Sequence, residues 1–142
     1  MNLYEKLGKE EGWYEVLYQL YCELIDHPEI AHHFIGVDIE RLSQLQTQYL
    51  CMVFGSPKPF LGRNLKTVHK HLGITPFQFK VVVDRIEKIL KNKGVERADI
   101  NQVVQVFKAH RGLVVTQKRS WIDQLLIPWY RLLYRMRALL RG

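Results

Sequence analysis

The sequence predicts an all-α protein, and three observations predict it. Every periodic apolar pattern in the 142 residues repeats at helical spacing, and no segment alternates as a half-buried strand would. Strong start and stop signals, above all Thr75-Pro76-Phe77-Gln78, divide the chain into helix-length pieces. Composition is that of an ordinary globule, 47% apolar and 25% charged, so one core can be buried without staples.

The elements follow in order. Asn2-Leu3-Tyr4-Glu5 reads as a capping box opening a short helix that Gly8 closes. From Trp13 to Ile25 one stripe carries Val16, Leu17, Leu20, Leu24 and Ile25, with Tyr21 in its middle. His27-Pro28 ends that helix and opens a short helical turn ending near Phe34, which places His32-His33 on the surface. Asp38 caps a long helix with an inward stripe of Leu42, Leu45, Gln46, Tyr49, Leu50, Val53 and Phe54. Gly55-Ser56-Pro57-Lys58-Pro59 then breaks the chain, and the stretch to about Asn64 is irregular.

Leu65, Val68, His69 and Leu72 share one face of a short helix that Gly73 terminates. In the next helix Thr75 caps, Pro76 takes the first helical position and Gln78 reaches back. That helix buries Phe79, Val82, Val83, Ile86, Ile89 and Leu90 and stops at Gly94. The following one shows Ile100, Val103, Val104 and Phe107 on one side and runs to about Val115. Five or six helices with one long irregular connection make a helical packing arrangement without internal repeats.

Charge separates the tail from the body. The net charge is +7, of which residues 117–142 carry +5: Lys118, Arg119, Arg131, Arg135, Arg137 and Arg141 against Asp123 alone. The other 116 residues hold 15 basic and 13 acidic groups. Basicity therefore speaks about partners of the tail and not of the body. In that tail Trp129, Leu132, Leu133, Met136, Leu139 and Leu140 fall at helical spacing, forming a basic amphipathic helix begun or kinked at Pro128. Its apolar face either folds back on the body or pairs in a dimer. Alternatively it lies in a membrane interface, with nucleic acid the least favoured partner.

The N-terminus lacks a basic-then-apolar signal, and no apolar run is long enough to span a bilayer. Cys22 and Cys51 are too few for a disulfide framework and read as buried thiols. Together these point to the cytoplasm, with the tail as a candidate for peripheral contact with the inner face of a membrane.

Three polar side chains interrupt apolar faces: Tyr21, Gln46 and His69. A buried polar group without a partner costs on the order of 1–3 kcal/mol, so each needs a hydrogen bond, a metal or a ligand. Singly, each fits a satisfied core residue. Jointly they match what a haem requires: an apolar slot, one axial nitrogen, and sparse donors on the opposite side. No zinc-ligand spacing, phosphate loop or nucleophilic triad competes with that reading, and His71 points to a different helix face from His69.

Leu3-Tyr4-Glu5-Lys6-Leu7-Gly8, Phe34-Ile35-Gly36-Val37-Asp38, and Gly62-Arg63-Asn64-Leu65-Lys66-Thr67-Val68-His69 with Leu72-Gly73-Ile74-Thr75 after it resemble the signature segments of group I truncated haemoglobins. The resemblance runs from about Leu3 to about Val115. It implies a two-over-two helical sandwich over residues 1–116, a haem b cofactor, and 117–142 as an extension. It implies His69 as the iron ligand, with Tyr21 and Gln46 as the distal groups that stabilise bound ligand. Phe34 would wedge the porphyrin, and Tyr49 and Leu50 would line or gate an apolar route to the iron. Arg63 and Lys66 would meet the propionates, and Leu42, Leu45, Val68, Leu72 and Phe79 would complete the pocket.

The implied ligands are diatomic gases: dioxygen first, with nitric oxide and carbon monoxide. Nitric-oxide dioxygenation or gas sensing is the implied role, with re-reduction left to a separate reductase. Three departures stand out. Lys9 and Ser56 replace the second glycine of two Gly-Gly pairs, so those turns are expected to differ in shape. Leu45 stands where some relatives place a histidine that closes onto iron. A haem-free helical adaptor, docking through its basic tail, is the competing expectation.

Overall fold

The computed structural model describes residues 1–60 and 73–115, together with Met136. Within them the order is α1 (Leu3–Lys6), α2 (Lys9–Leu24), a 3-10 turn (Ala31–Phe34), α3 (Ile39–Val53), α4 (Pro76–Asn92), α5 (Arg97–Ala109) and a last turn α6 (Arg111–Val114), with no strand among the described residues. The expected helix over 65–72 and the basic helix of the tail lie outside them.

Three helices, α1, α3 and α4, start where a side chain satisfies a first amide. Asn2 accepts from the Glu5 amide at 2.9 Å, and Asp38 accepts from Arg41 at 3.1 Å. At α4 the full reciprocal box forms. Thr75 Oγ1 accepts from the Gln78 amide, and Gln78 Oε1 accepts from the Thr75 amide at 3.1 Å. The expected single helix to Val115 is instead interrupted after Ala109, with His110 at the junction.

The core lies where α2 meets α3 on one side and α4 on the other, and α5 packs against α4. Trp13, Leu17, Leu20 and Leu24 of α2 are buried against Leu50, Cys51 and Phe54 of α3 and Ile86, Ile89 and Leu90 of α4. Trp13 stacks on Phe54 with ring centroids 4.8 Å apart. Burial pushes the Cys51 thiol up to about 11, so it behaves as a small apolar side chain, while Cys22 is half-buried.

The inward face of α3 differs from the expected stripe. Ser43 and Thr47 are buried against the core, Ser43 with its hydroxyl bonded to the Ile39 carbonyl at 2.7 Å. That internal bond lets a small polar residue take a helix-helix contact that larger side chains would prop open. The rotation carries Leu45 to the outside, where it is 39% exposed.

Lys9 adopts the left-handed conformation itself, at φ 59°, directly after Gly8 at φ 92°. Ser56 stays out of that region, and the second turn is closed by Gly55 at φ 114° with the Ser56 amide bonded to the Cys51 carbonyl. The Lys9 geometry is held because α2 must start immediately: a Cβ on Gly12 would stand 1.7 Å from the Leu7 carbonyl oxygen. Left-handed backbone costs an ordinary residue about 1–2 kcal/mol, more than the ~0.5–1 kcal/mol of extra unfolded-state freedom that glycine brings. Lys9→Gly is therefore expected to raise the urea midpoint by an amount equivalent to about 0.5 kcal/mol, at unchanged slope. A lower midpoint would show that the Lys9 strain is relieved elsewhere.

Candidate functional site

A cavity of about 350 Å³ opens between α2, α3, α4 and α5, with the 3-10 turn across one end. Its wall is mostly apolar, from Leu20, Phe34, Leu42, Leu50, Phe79 and Phe107 among others. Six polar side chains also reach it: Tyr21, His33, Gln46, Tyr49, Gln78 and His110. Where each one's hydrogen bonds go decides what the cavity can do.

Four of the six are paired with one another. Gln78 Nε2 donates to the Glu29 carbonyl at 3.0 Å, which orients the amide so that Oε1 accepts from His33 Nε2 at 2.9 Å. His110 Nδ1 donates to the Val106 carbonyl at 2.7 Å, one turn back, which leaves Nε2 with its lone pair. That lone pair accepts from the Tyr49 hydroxyl at 2.8 Å. Burial raises the Tyr49 phenol above its ordinary value and keeps it a donor.

Tyr21 and Gln46 are left. Neither has a hydrogen-bond partner among the described residues, and both line the cavity. The Tyr21 ring retains some accessible surface because it borders the cavity, yet the packed chain around it pushes the phenol well above its usual value. It therefore stays a neutral O–H donor at any physiological pH. An edge-to-face contact with Phe34, centroids 5.8 Å apart, fixes its ring. Two uncommitted donors in an apolar chamber suit a small ligand with a partly anionic atom.

The expected residues are thus partly assembled. Tyr21, Phe34, Leu42, Gln46, Tyr49, Leu50 and Phe79 all line the cavity, whereas Leu45, expected among them, does not. Leu45 lies about a quarter-turn from Gln46 and on the solvent side of the Ser43–Thr47 contact. Arg63, Lys66, Val68, His69 and Leu72 lie outside the described residues. His33, expected on the surface, is half-buried and borders the cavity.

Sequence reasoning missed Gln78, His110 and the inward role of His33. Gln78 was accounted for as a capping residue, although its amide also joins two other elements. His110 carried a usable signal: it continues the apolar face of α5 at Val103, Phe107 and Val114 spacing.

The cavity suits a largely apolar cofactor. Its volume falls within the range of cofactor pockets, and the donors without a partner among the described residues, Tyr21 and Gln46, lie on its α2–α3 side. Among the described residues no three His, Cys, Asp or Glu side chains converge as a metal site of their own. No helix of the described residues is long and apolar enough to cross a membrane.

Comparison with known proteins adds three findings. The family model described as bacterial-like globin matches residues 2–116. A group 1 truncated haemoglobin of Tetrahymena pyriformis is 28% identical over 110 residues, covering 78% of this chain and 91% of that protein. The crystal structure of a T. pyriformis truncated haemoglobin in its Fe(III) form superposes with a TM-score of 0.75 at 26% identity, covering 81% of this chain and 98% of that one. A Synechococcus 2/2 haemoglobin, solved in the cyanomet state with covalently attached haem, superposes equally well at 0.75. It is 23% identical and covers 82% of this chain and 100% of its own, a likeness of fold.

Proposed function

The chain belongs to the bacterial-like globin family and has the expected all-α truncated-globin fold, and from that premise we propose that it binds haem in the cavity and a diatomic gas beneath Tyr21 and Gln46. The observation that carries the reading is the pairing pattern: of six polar groups on the wall, these two alone lack a partner among the described residues. Haem b, held by His69, would supply the iron at which dioxygen, nitric oxide or carbon monoxide binds.

The chain's own residues do the rest. Phe34 and Phe79 clamp an apolar plane, and Leu42 and Leu50 exclude water from the ligand side. Tyr21 and Gln46 donate to the ligand atom that gains negative charge, which slows its release. Arg63 and Lys66, just before His69 in sequence, are suited to pair with the two propionates. Slow release disfavours a carrier and favours turnover of dioxygen with nitric oxide to nitrate, or sensing. Re-reduction of the iron would fall to a separate reductase.

The family match ends at residue 116, which supports treating 117–142 as a distinct basic extension for contact with a partner copy or an anionic membrane surface.

Haemin titrated into the haem-free protein is expected to bind at one equivalent and produce a sharp Soret band, with clean shifts on reduction and on addition of carbon monoxide. A protein that stays colourless with excess haemin would sink the reading in favour of a haem-free helical adaptor.

A further inference from the structure

We propose that Tyr49 and His110 form a proton-accepting dyad that deprotonates protic ligands as they enter the cavity. The inference rests on the reading that the cavity is the haem and ligand site. The neighbouring pair Tyr21 and Gln46 donates; this second pair is built the other way round.

The geometry assigns the direction. His110 keeps Nδ1–H on the Val106 carbonyl at 2.7 Å, so its one free lone pair is on Nε2. The Tyr49 hydroxyl spends its hydrogen on that lone pair at 2.8 Å. The phenol oxygen is left with lone pairs and no donor among the described residues, on a side chain that lines the cavity. A hydroxyl poised against a tautomer-locked imidazole is the arrangement that lets oxygen take one proton while passing on another.

The placement is also specific. The α3 helix packs on α2 and α5 packs on α4, and the bond from Tyr49 to His110 ties the α3 wall of the cavity to the junction that follows α5. The Tyr49 ring is held edge-on between His110, interplanar angle 89°, and Phe60, interplanar angle 82°. Gln46 precedes Tyr49 by three residues on α3, so the two face the cavity side by side. His110 is half-buried, so the charge it gains is partly solvated.

The step balances without a redox partner. The H–X bond of the ligand breaks, its proton goes to the Tyr49 oxygen, and the former phenolic proton goes to His110 Nε2. The products are the anion X⁻ in the cavity and an imidazolium whose two N–H groups face the Val106 carbonyl and the Tyr49 oxygen. The anion is the form in which such a ligand binds a ferric metal centre. Ligands of this class are weak acids: hydrogen cyanide, hydrogen sulfide, hydrogen peroxide. Tyr49 is the group that meets the ligand, and His110 acts through it.

The test compares a protic with an aprotic ligand in the full-length, haemin-loaded protein. Hydrogen cyanide binding to the ferric form and carbon monoxide binding to the ferrous form are followed by stopped flow near neutral pH. The variants are Tyr49→Phe, which removes the relay oxygen, and His110→Gln, whose amide oxygen still accepts from Tyr49 but does not take a proton. Both variants are expected to slow cyanide association by about tenfold or more, the lower part of what general-base assistance contributes. Carbon monoxide association, a step with no proton to move, is the internal reference: the ratio of cyanide to carbon monoxide association rates should fall by about tenfold in both variants.

Cyanide rates that do not change, or cyanide and carbon monoxide rates that change together, would overturn the dyad, the latter showing a loosened wall. Imidazole nitrogen NMR of the unaltered carbon-monoxide form is an independent check that needs no variant. It should find His110 protonated at Nδ1 and bare at Nε2, and an Nε2–H tautomer would overturn the proposal by itself. Normal haemin and carbon monoxide binding with insensitive cyanide kinetics refutes the dyad alone. Failure of haemin uptake removes the proposed function and this inference with it.

Discussion

A His69→Ala variant is expected to lose haem at least about 100-fold more readily than the unaltered chain, taking the Soret band with it under dilution. The size follows from the hierarchy of metal sites. Removing a group that only orients a ligand costs about 10–100-fold in metal affinity, so removing the ligand itself costs no less. The apolar contacts of Phe34, Leu42, Leu50 and Phe79 remain in the variant, so some weak haemin association persists. Added imidazole should restore the spectrum, because it supplies the nitrogen donor that the variant lacks. Haem transfer to an excess of apo-myoglobin measures the loss rate. An unchanged rate would move the axial role to another imidazole, and His33 and His110, which already border the cavity, would be examined first.

The second large effect concerns release of the gas. Tyr21→Phe is expected to speed dioxygen dissociation from the ferrous protein by at least about tenfold, corresponding to the loss of a hydrogen bond of about 1.4 kcal/mol to a charged acceptor. Phenylalanine preserves the edge-to-face contact with Phe34, so the change isolates the hydroxyl. Because burial holds the phenol far above its ordinary value, the wild-type off-rate should not vary with Tyr21 ionisation until well into the alkaline range. Below that point the neutral donor is fully present; above it the donor is lost and release accelerates. Gln46→Leu should act in the same direction, and the double variant shows whether the two donors share one ligand atom. An off-rate in Tyr21→Phe equal to that of the unaltered chain would remove Tyr21 from the ligand site.

Much of this was legible in the chain before any coordinates. Local signals are local physics. The Thr75–Gln78 box and the Asp38 cap satisfy helix amides within a few residues, the Gly8 stop donates to the Glu5 carbonyl, and all three appear where the sequence places them. The stripe of α2 is equally plain, because Trp13, Val16, Leu17, Leu20 and Leu24 are buried as a set. The membership in the globin family was readable from the resemblance of the segments at Leu3–Gly8, Phe34–Asp38 and Gly62–His69 to the family's signature segments.

The face of α3 was harder to read. Leu45 looked inward because leucine usually is, and Ser43 and Thr47 looked outward because hydroxyls usually are. Close approach of α2 to α3 reverses both, since small residues are what such a contact admits. Which neighbour a helix has is a property of the assembled molecule.

The same division holds for the candidate site. Alone, the sequence determined the helix starts at Asn2, Asp38 and Thr75 and the buried stripe of α2, because these depend on residue order within a turn or two. Tertiary structure alone decided which polar groups are already spoken for. Tyr49 meets His110 across 61 positions and His33 meets Gln78 across 45, whereas Tyr21 and Gln46 have no partner among the described residues. The reason is that a hydrogen bond is settled by distance in space, and folding brings together side chains whose separation along the chain carries no trace of it.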